Sequence, residues 1–213
     1  MRPISEYFSR KHQDAFSAAL PGLRKLVGIE PFAKHDKKFG AAGNTLRAYR
    51  DFSKPPSVVF RKWAAEVCGH RSTSEFSSEL ERHLASRAAF LRWHVTLGRG
   101  LQRVWRREEE RSLKFAQQFK LIDLFIKWLS EHDFGSASVK EGFIQNANCA
   151  LDRQILAKLN ECLSRALPMP APSMGHISNE HTYNFCQDLI AEFARNCGGT
   201  PLLFDYWAWK RGG

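Results

Sequence analysis

The stretch FAQQFKLIDLFIKWL, residues 115–129, decides how this chain is read. Phe115, Phe119, Ile122, Ile126 and Leu129 recur at spacings of 4, 3, 4 and 3, which places them on one side of an α-helix and nowhere coherent on a strand. Working outward, the pattern is helix after helix. Upstream, helical stretches are expected over residues 57–68, 74–97 and 101–131, with Gly98 and Gly100 breaking the run between the last two. An earlier helix over residues 5–20 stops at Pro21-Gly22, and residues 31–56, with Gly40, Gly43, Pro55 and Pro56, read as a long loop. Downstream, a polar connection from His132 to Ala150 leads to helices over 152–166 and 178–196, kept apart by the proline-rich LPMPAPSMGH (167–176). Sustained period-2 alternation is scarce, and the pair Val58-Val59 is too short to make a strand. The reading is all-α, with two packed helical lobes over residues 1–112 and 113–213 that can form one compact unit.

Lys120 sits at the edge of the apolar stripe, and Asp152, 32 positions later, opens ALDRQILAKLNECL (150–163). A carboxylate in the first turn of a helix is favoured by the unpaired N–H groups and the helix dipole there. A partly desolvated lysine beside a fixed carboxylate is the apparatus for amine attack on a carbon that becomes cationic. The plain alternatives are a lysine that snorkels to water and an aspartate that only caps its helix. Asp123, three residues after Lys120, offers another, a structural ion pair that would keep the lysine protonated. The six tryptophans have the same double aspect, since each is more often core than a ligand platform. In the tail LLFDYWAWKRGG (202–213), Trp209 follows Asp205 by four residues, so on a helix the two share a face and set a stacking plane beside an acceptor for base N–H groups.

Charge is unequally distributed. Residues 1–112 hold 22 Lys and Arg against 12 Asp and Glu, whereas residues 113–213 hold 10 of each, so the whole excess of +10 lies in the first part. Such a surface attracts phosphate backbones through counterion release, which makes the first lobe the expected DNA grip. Arg103, Arg106, Arg107 and Arg111, followed by Ser112 and Lys114, are the expected DNA contacts. Glu108, Glu109 and Glu110 among them leave open a solvated face of local ion pairs instead. At 213 residues, 43% of them hydrophobic, the chain can fill a real core. It has no apolar run of the ~18 residues that a spanning helix needs, and its start lacks a secretory pattern, so a cytoplasmic protein is expected. The five scattered cysteines form no Cys-x-x-Cys pair, which suits reduced thiols, and the eight histidines include no His-x-x-x-His or His-Glu-x-x-His. Neither a metal nor a cofactor is expected.

The aromatic helix carrying Lys120, the Leu-Asp-x-x opening at Asp152 and the Asp-x-x-x-Trp of Asp205 and Trp209 occur in the order found in the archaeal GO glycosylases. These are a divergent branch of the helix-hairpin-helix DNA glycosylases, and the chain resembles them over roughly residues 112–210. The resemblance implies a DNA glycosylase in which Lys120 is the nucleophile and Asp152 the catalytic carboxylate, with Asp205 and Trp209 against a flipped base. AP lyase activity through a Schiff base goes with that assignment. Two departures matter. The position four after the lysine, an aromatic in that family, is Leu124, and no Leu-Pro-Gly-Val-Gly type turn precedes Lys120. Leu124 implies a roomier pocket, and with it a bulky modified pyrimidine such as a glycosylated hydroxymethylcytosine of phage DNA, excised in defence, beside 8-oxoguanine excised in repair. The partner is then DNA carrying a modified base, and the protein acts as a monomer. The competing class is a non-catalytic helical DNA- or RNA-binding module that uses the same basic half. A metal-dependent nuclease is the weaker third.

Overall fold

A computed structural model describes residues 3–43, 45–69, 72–169 and 171–209. The fold is all-α. In chain order the helices are α1 (Arg10–Arg24), α2 (Pro56–Cys68), α3 (Thr73–Leu84), α4 (Arg87–Glu109), α5 (Phe115–Glu131), α6 (Ala137–Asn146), α7 (Arg153–Cys162), α8 (Glu180–Asn196) and α9 (Pro201–Trp209). The only strands among the described residues are β1 (Glu30–Pro31) and β2 (His132–Asp133), a two-residue parallel pair that clips the segment after α1 to the end of α5. Helix starts follow side-chain chemistry: Ser86, Ser136, Asp152 and Asn179 each accept from an N–H in the first turn, and Ser72 and Glu75 form a reciprocal capping box.

The helix that carries the opening stretch is the centre of the molecule. Leu121, Ile122, Phe125 and Leu129 are fully buried, and Asp123, Leu124 and Trp128 are nearly so, which makes the buried face of α5 much wider than the stripe read from spacing. Phe115 and Phe119, by contrast, are only half-buried, packed on each other and on Tyr183. Helices from both parts of the chain share one core with α5. Phe16 of α1 packs on Phe193 of α8 and on Phe204 and Trp207 of α9, and α3 lies along α6, so the core runs unbroken across residue 112.

Five expectations need correction. The helix expected over residues 101–131 is instead the end of α4 and the whole of α5, parted at residues 110–114 where Glu110 turns left-handed. Gly98 and Gly100 do not break α4; they face inward, where a Cβ on Gly98 would meet the Gln118 amide at 2.8 Å and one on Gly100 would meet the Trp63 indole nitrogen at 3.3 Å. They are close-approach glycines inside a continuous helix. The break falls instead at residues 85–86, where Ser86 caps α4 afresh. Pro21 does not end α1, which continues to Arg24 because Leu23 in its last turn is buried in the core. The connection from His132 to Ala150 holds a whole helix, α6, which buries Val139, Phe143 and Ile144 and seats Gly142 against Leu84. Finally, α7 stops at Cys162, short of the expected 166.

Among the described residues no helix is long and apolar enough to cross a membrane, and all five cysteines are free.

Candidate active site

The site is assembled by α5, by the loop that leads into α7, and by α9. Lys120 points from α5 toward Asp152, with Nζ 3.7 Å from Oδ2. Both side chains are nearly sealed, at 12% and 10% exposure. Asp152 caps α7 through its other oxygen: Oδ1 accepts from the N–H groups of Gln154 at 2.8 Å and Ile155 at 3.0 Å. The capping role and the pairing with lysine are therefore not alternatives, because each uses a different oxygen. The cap fixes the carboxylate plane and leaves Oδ2 aimed at the amine.

Asp123 is not the partner of Lys120. It lies on the inner side of α5, where Oδ1 meets His94 Nε2 at 2.7 Å and Oδ2 accepts from the Tyr183 hydroxyl at 2.7 Å. Burial pushes its carboxyl upward from the usual range, with His94 and Tyr183 pulling the other way. That arrangement removes the competing ion pair and leaves Asp152 as the acid beside Lys120.

Further along the same face of α5 is a pocket of about 240 Å³ lined by Leu124, Lys127, Trp128 and Glu131, by Gly40, Ala42 and Thr45 from the long loop, and by Trp209. Lys120, Leu124, Lys127 and Glu131 follow at spacings of four, three and four, so the pocket starts one turn beyond the lysine. Trp209, 37% exposed, presents its indole as the open wall, with Lys127 Nζ 5.9 Å from its ring centre and 4.7 Å from that of Tyr206. Burial raises the Glu131 carboxyl above its ordinary range, opposed by Lys127. Leu124 and Trp209 thus line the same pocket.

Asp205 is not part of that wall. It is fully buried behind it, with Oδ1 on the Lys127 ammonium and Oδ2 accepting from the Ala150 N–H at 2.6 Å and the Cys149 thiol at 3.4 Å. It reaches the pocket only through Lys127. Sequence spacing put Asp205 and Trp209 on one helical face, but α9 (PLLFDYWAW) is apolar nearly all round, so spacing could not say which face is covered. Lys127 and Glu131 carried a readable signal, as charges at helical spacing from Lys120 inside an apolar run. Gly40, Ala42 and Thr45 carried none.

The turn before α5 contains no glycine and is held by side-chain and backbone geometry. Glu110 takes a left-handed conformation at the end of α4, and the Gln102 side chain binds Leu113 through both backbone groups, at 2.8 and 3.0 Å. Around this turn Arg103, Arg106, Arg107, Arg111, Ser112 and Lys114 are all exposed. Arg106 donates to Ser112 at 2.8 Å and Arg111 to the Asp51 carbonyl at 3.3 Å, while Arg107 meets Glu66 at 3.5 Å. Glu108 bridges Lys54 and Lys62 at 2.6 Å each, and Glu109 is buried, accepting from the N–H groups of Ser53 and Lys54. Two of the three glutamates are thus taken up chiefly by residues 53–62, and most of the arginine charge faces solvent.

Among the described residues no group of three or more His, Cys, Asp or Glu side chains converges as a metal site would need. Comparison with protein-family models, with curated proteins and with solved structures found no match.

Proposed function

We propose that the chain is a DNA glycosylase that flips a modified base and excises it through Lys120 and Asp152. The observation that carries the reading is the nearly sealed Lys120–Asp152 pair, 3.7 Å apart and one helical turn from a pocket with an indole wall. Cleaving an N-glycosidic bond develops positive charge on the sugar, which a fixed carboxylate stabilises and a lysine amine can trap. In this mechanism the base is drawn from the stack into the pocket against Trp209. As the bond from C1′ to the base nitrogen breaks, its electron pair leaves with the base, and Asp152 balances the charge left on the sugar. Lys120, its proton having passed to the departing base, donates its lone pair to C1′; loss of a further proton to water and opening of the sugar ring yield a Schiff base. β-Elimination from that intermediate nicks the strand.

The exposed basic side chains around the turn before α5 supply the grip on the backbone, and the pocket supplies the choice of base. With Leu124 where a second aromatic would complete a sandwich, and with Lys127 and Glu131 as polar wall groups, a bulky modified pyrimidine suits the pocket better than a flat purine. Defence against phage DNA with modified cytosines is the corresponding role, and repair of 8-oxoguanine the other. The test is incubation with DNA carrying 8-oxoguanine, uracil, hydroxymethylcytosine or glycosylated hydroxymethylcytosine, followed by mass spectrometry of released bases. Release of one of these, lost in Lys120→Gln, supports the reading. Tight DNA binding without release of any base identifies a non-catalytic nucleic-acid-binding module instead.

A further inference from the structure

The segment that delivers Asp152 to Lys120 is held residue by residue. Asn148 donates to the Tyr183 hydroxyl at 2.8 Å, and Cys149 makes paired bonds with the Gln187 amide at 3.1 and 2.7 Å. Ala150 donates to Asp205, and Asp152 is pinned by its cap. Two of these anchors return to α5: Tyr183 donates to Asp123, one turn after Lys120, and Asp205 pairs with Lys127, two turns after it. Residues 148–152 are therefore strutted twice against the helix that carries the lysine. The Asn148 side chain bonds Tyr183 and no other described residue. Tyr183 is itself fixed by Asp123, whose other oxygen His94 holds; His94 Nε2 also lies 3.5 Å from the Tyr183 hydroxyl, and the Tyr183 ring packs on Phe119 with centres 5.4 Å apart.

We infer that Tyr183 is a positioning residue for Asp152, its hydroxyl locking Asn148 to Asp123 so that the carboxylate stays opposite Lys120. The inference rests on the proposed function for its catalytic consequence, but the strut itself can be measured without catalysis. A displacement of about 1 Å at a reacting group costs on the order of a hundredfold in rate, so partial loosening of one of two struts is expected to cost roughly tenfold.

Tyr183→Phe keeps the ring and removes only the hydroxyl, and Asn148→Ala removes the other end of the same bond. Amide hydrogen exchange at Cys149 and Ala150 is expected to rise in both variants and to stay at the wild-type level in Lys120→Gln. Unchanged exchange in Tyr183→Phe overturns the strut. Single-turnover base release is expected to fall about tenfold in each variant and no further in the double variant, with DNA affinity within twofold of wild type, because both changes cut one link. Additive losses, or a wild-type rate in Tyr183→Phe, overturn the positioning role. A wild-type chain that releases no base from any DNA of the panel sinks the glycosylase reading alone, and the exchange measurement then decides the strut by itself.

Discussion

At the scale of single residues, two oxygens of one carboxylate do different jobs, and this makes Asp152 testable without disturbing the fold. Asparagine caps a helix about as well as aspartate, so Asp152→Asn keeps the start of α7 and removes the charge facing Lys120. Base release is expected to fall by about a hundredfold or more in Asp152→Asn and in Lys120→Gln, with DNA affinity changed by less than a few fold. Borohydride trapping reads Lys120 more directly: a covalent enzyme–DNA adduct forms with wild type and not with Lys120→Gln, whereas base release without an adduct would reduce Lys120 to an electrostatic role. The pocket gives a second pair of outcomes. Stacking on one aromatic contributes roughly 1–3 kcal/mol, so Trp209→Ala should lose tenfold or more in activity. Leu124→Phe adds a second aromatic face to the pocket and should shift preference toward 8-oxoguanine in side-by-side excision assays; an unchanged preference would show that the leucine does not set selectivity.

Secondary-structure elements show where reading the chain by pattern works and where it stops. The helices α2, α7 and α8 were visible because each carries buried residues at helical spacing or a clear cap, whereas α3, α4 and α5 were read as helical but divided at the wrong places. What failed was the treatment of glycine and proline as punctuation. Gly98, Gly100 and Gly142 are places where another helix comes close, and one chain carries no trace of the neighbour that makes a glycine necessary. Their substitution separates the cases. A Cβ on Gly142 would lie 2.7 Å from Leu84 Cβ and 3.2 Å from its carbonyl oxygen, so Gly142→Ala should wedge α3 from α6 and cost about 1–3 kcal/mol in denaturant unfolding. Gly98→Ala crowds the movable end of Gln118 at 2.8 Å and otherwise meets the Phe119 ring at an ordinary 3.5 Å. With roughly 1 kcal/mol of helix propensity regained, that variant should lie near wild-type stability. The tie between α2 and α4 makes a pH prediction. Hydrogen bonds from Lys54 and Lys62 pull the Glu108 carboxyl from 4.5 down to about 2. Because the folded value is depressed, the stabilisation is present above pH 4.5 and disappears as pH falls through about 2. Melting temperatures of wild type and Glu108→Gln should therefore differ at neutral pH and converge toward pH 2; a gap that persists in acid would mean the bridge is not its source.

For the whole molecule, the net charge of +10 is expressed as an exposed basic surface rather than a separable basic domain, since helices from both parts of the chain share one core. Binding should weaken steeply with salt. Arg103→Glu, Arg106→Glu and Arg107→Glu combined should lower affinity and flatten the salt dependence by up to about 3 units of log–log slope, one per lost phosphate contact, while leaving the choice of base unchanged. A slope equal to that of wild type would relieve these arginines of the role. The seating of Phe16 among Phe193, Phe204 and Trp207 has a consequence for how the chain comes into being. A ribosome makes α1 long before α9, so the apolar side of α1 leaves the exit tunnel well ahead of α8 and α9, and Phe16 has its full native cover only once about residue 207 has followed. Contacts of such long sequence separation make for slow folding and a protracted exposure of apolar surface. Nascent chains stalled before α9 should therefore stay protease-sensitive and chaperone-bound, and acquire cooperative structure only when α9 is free.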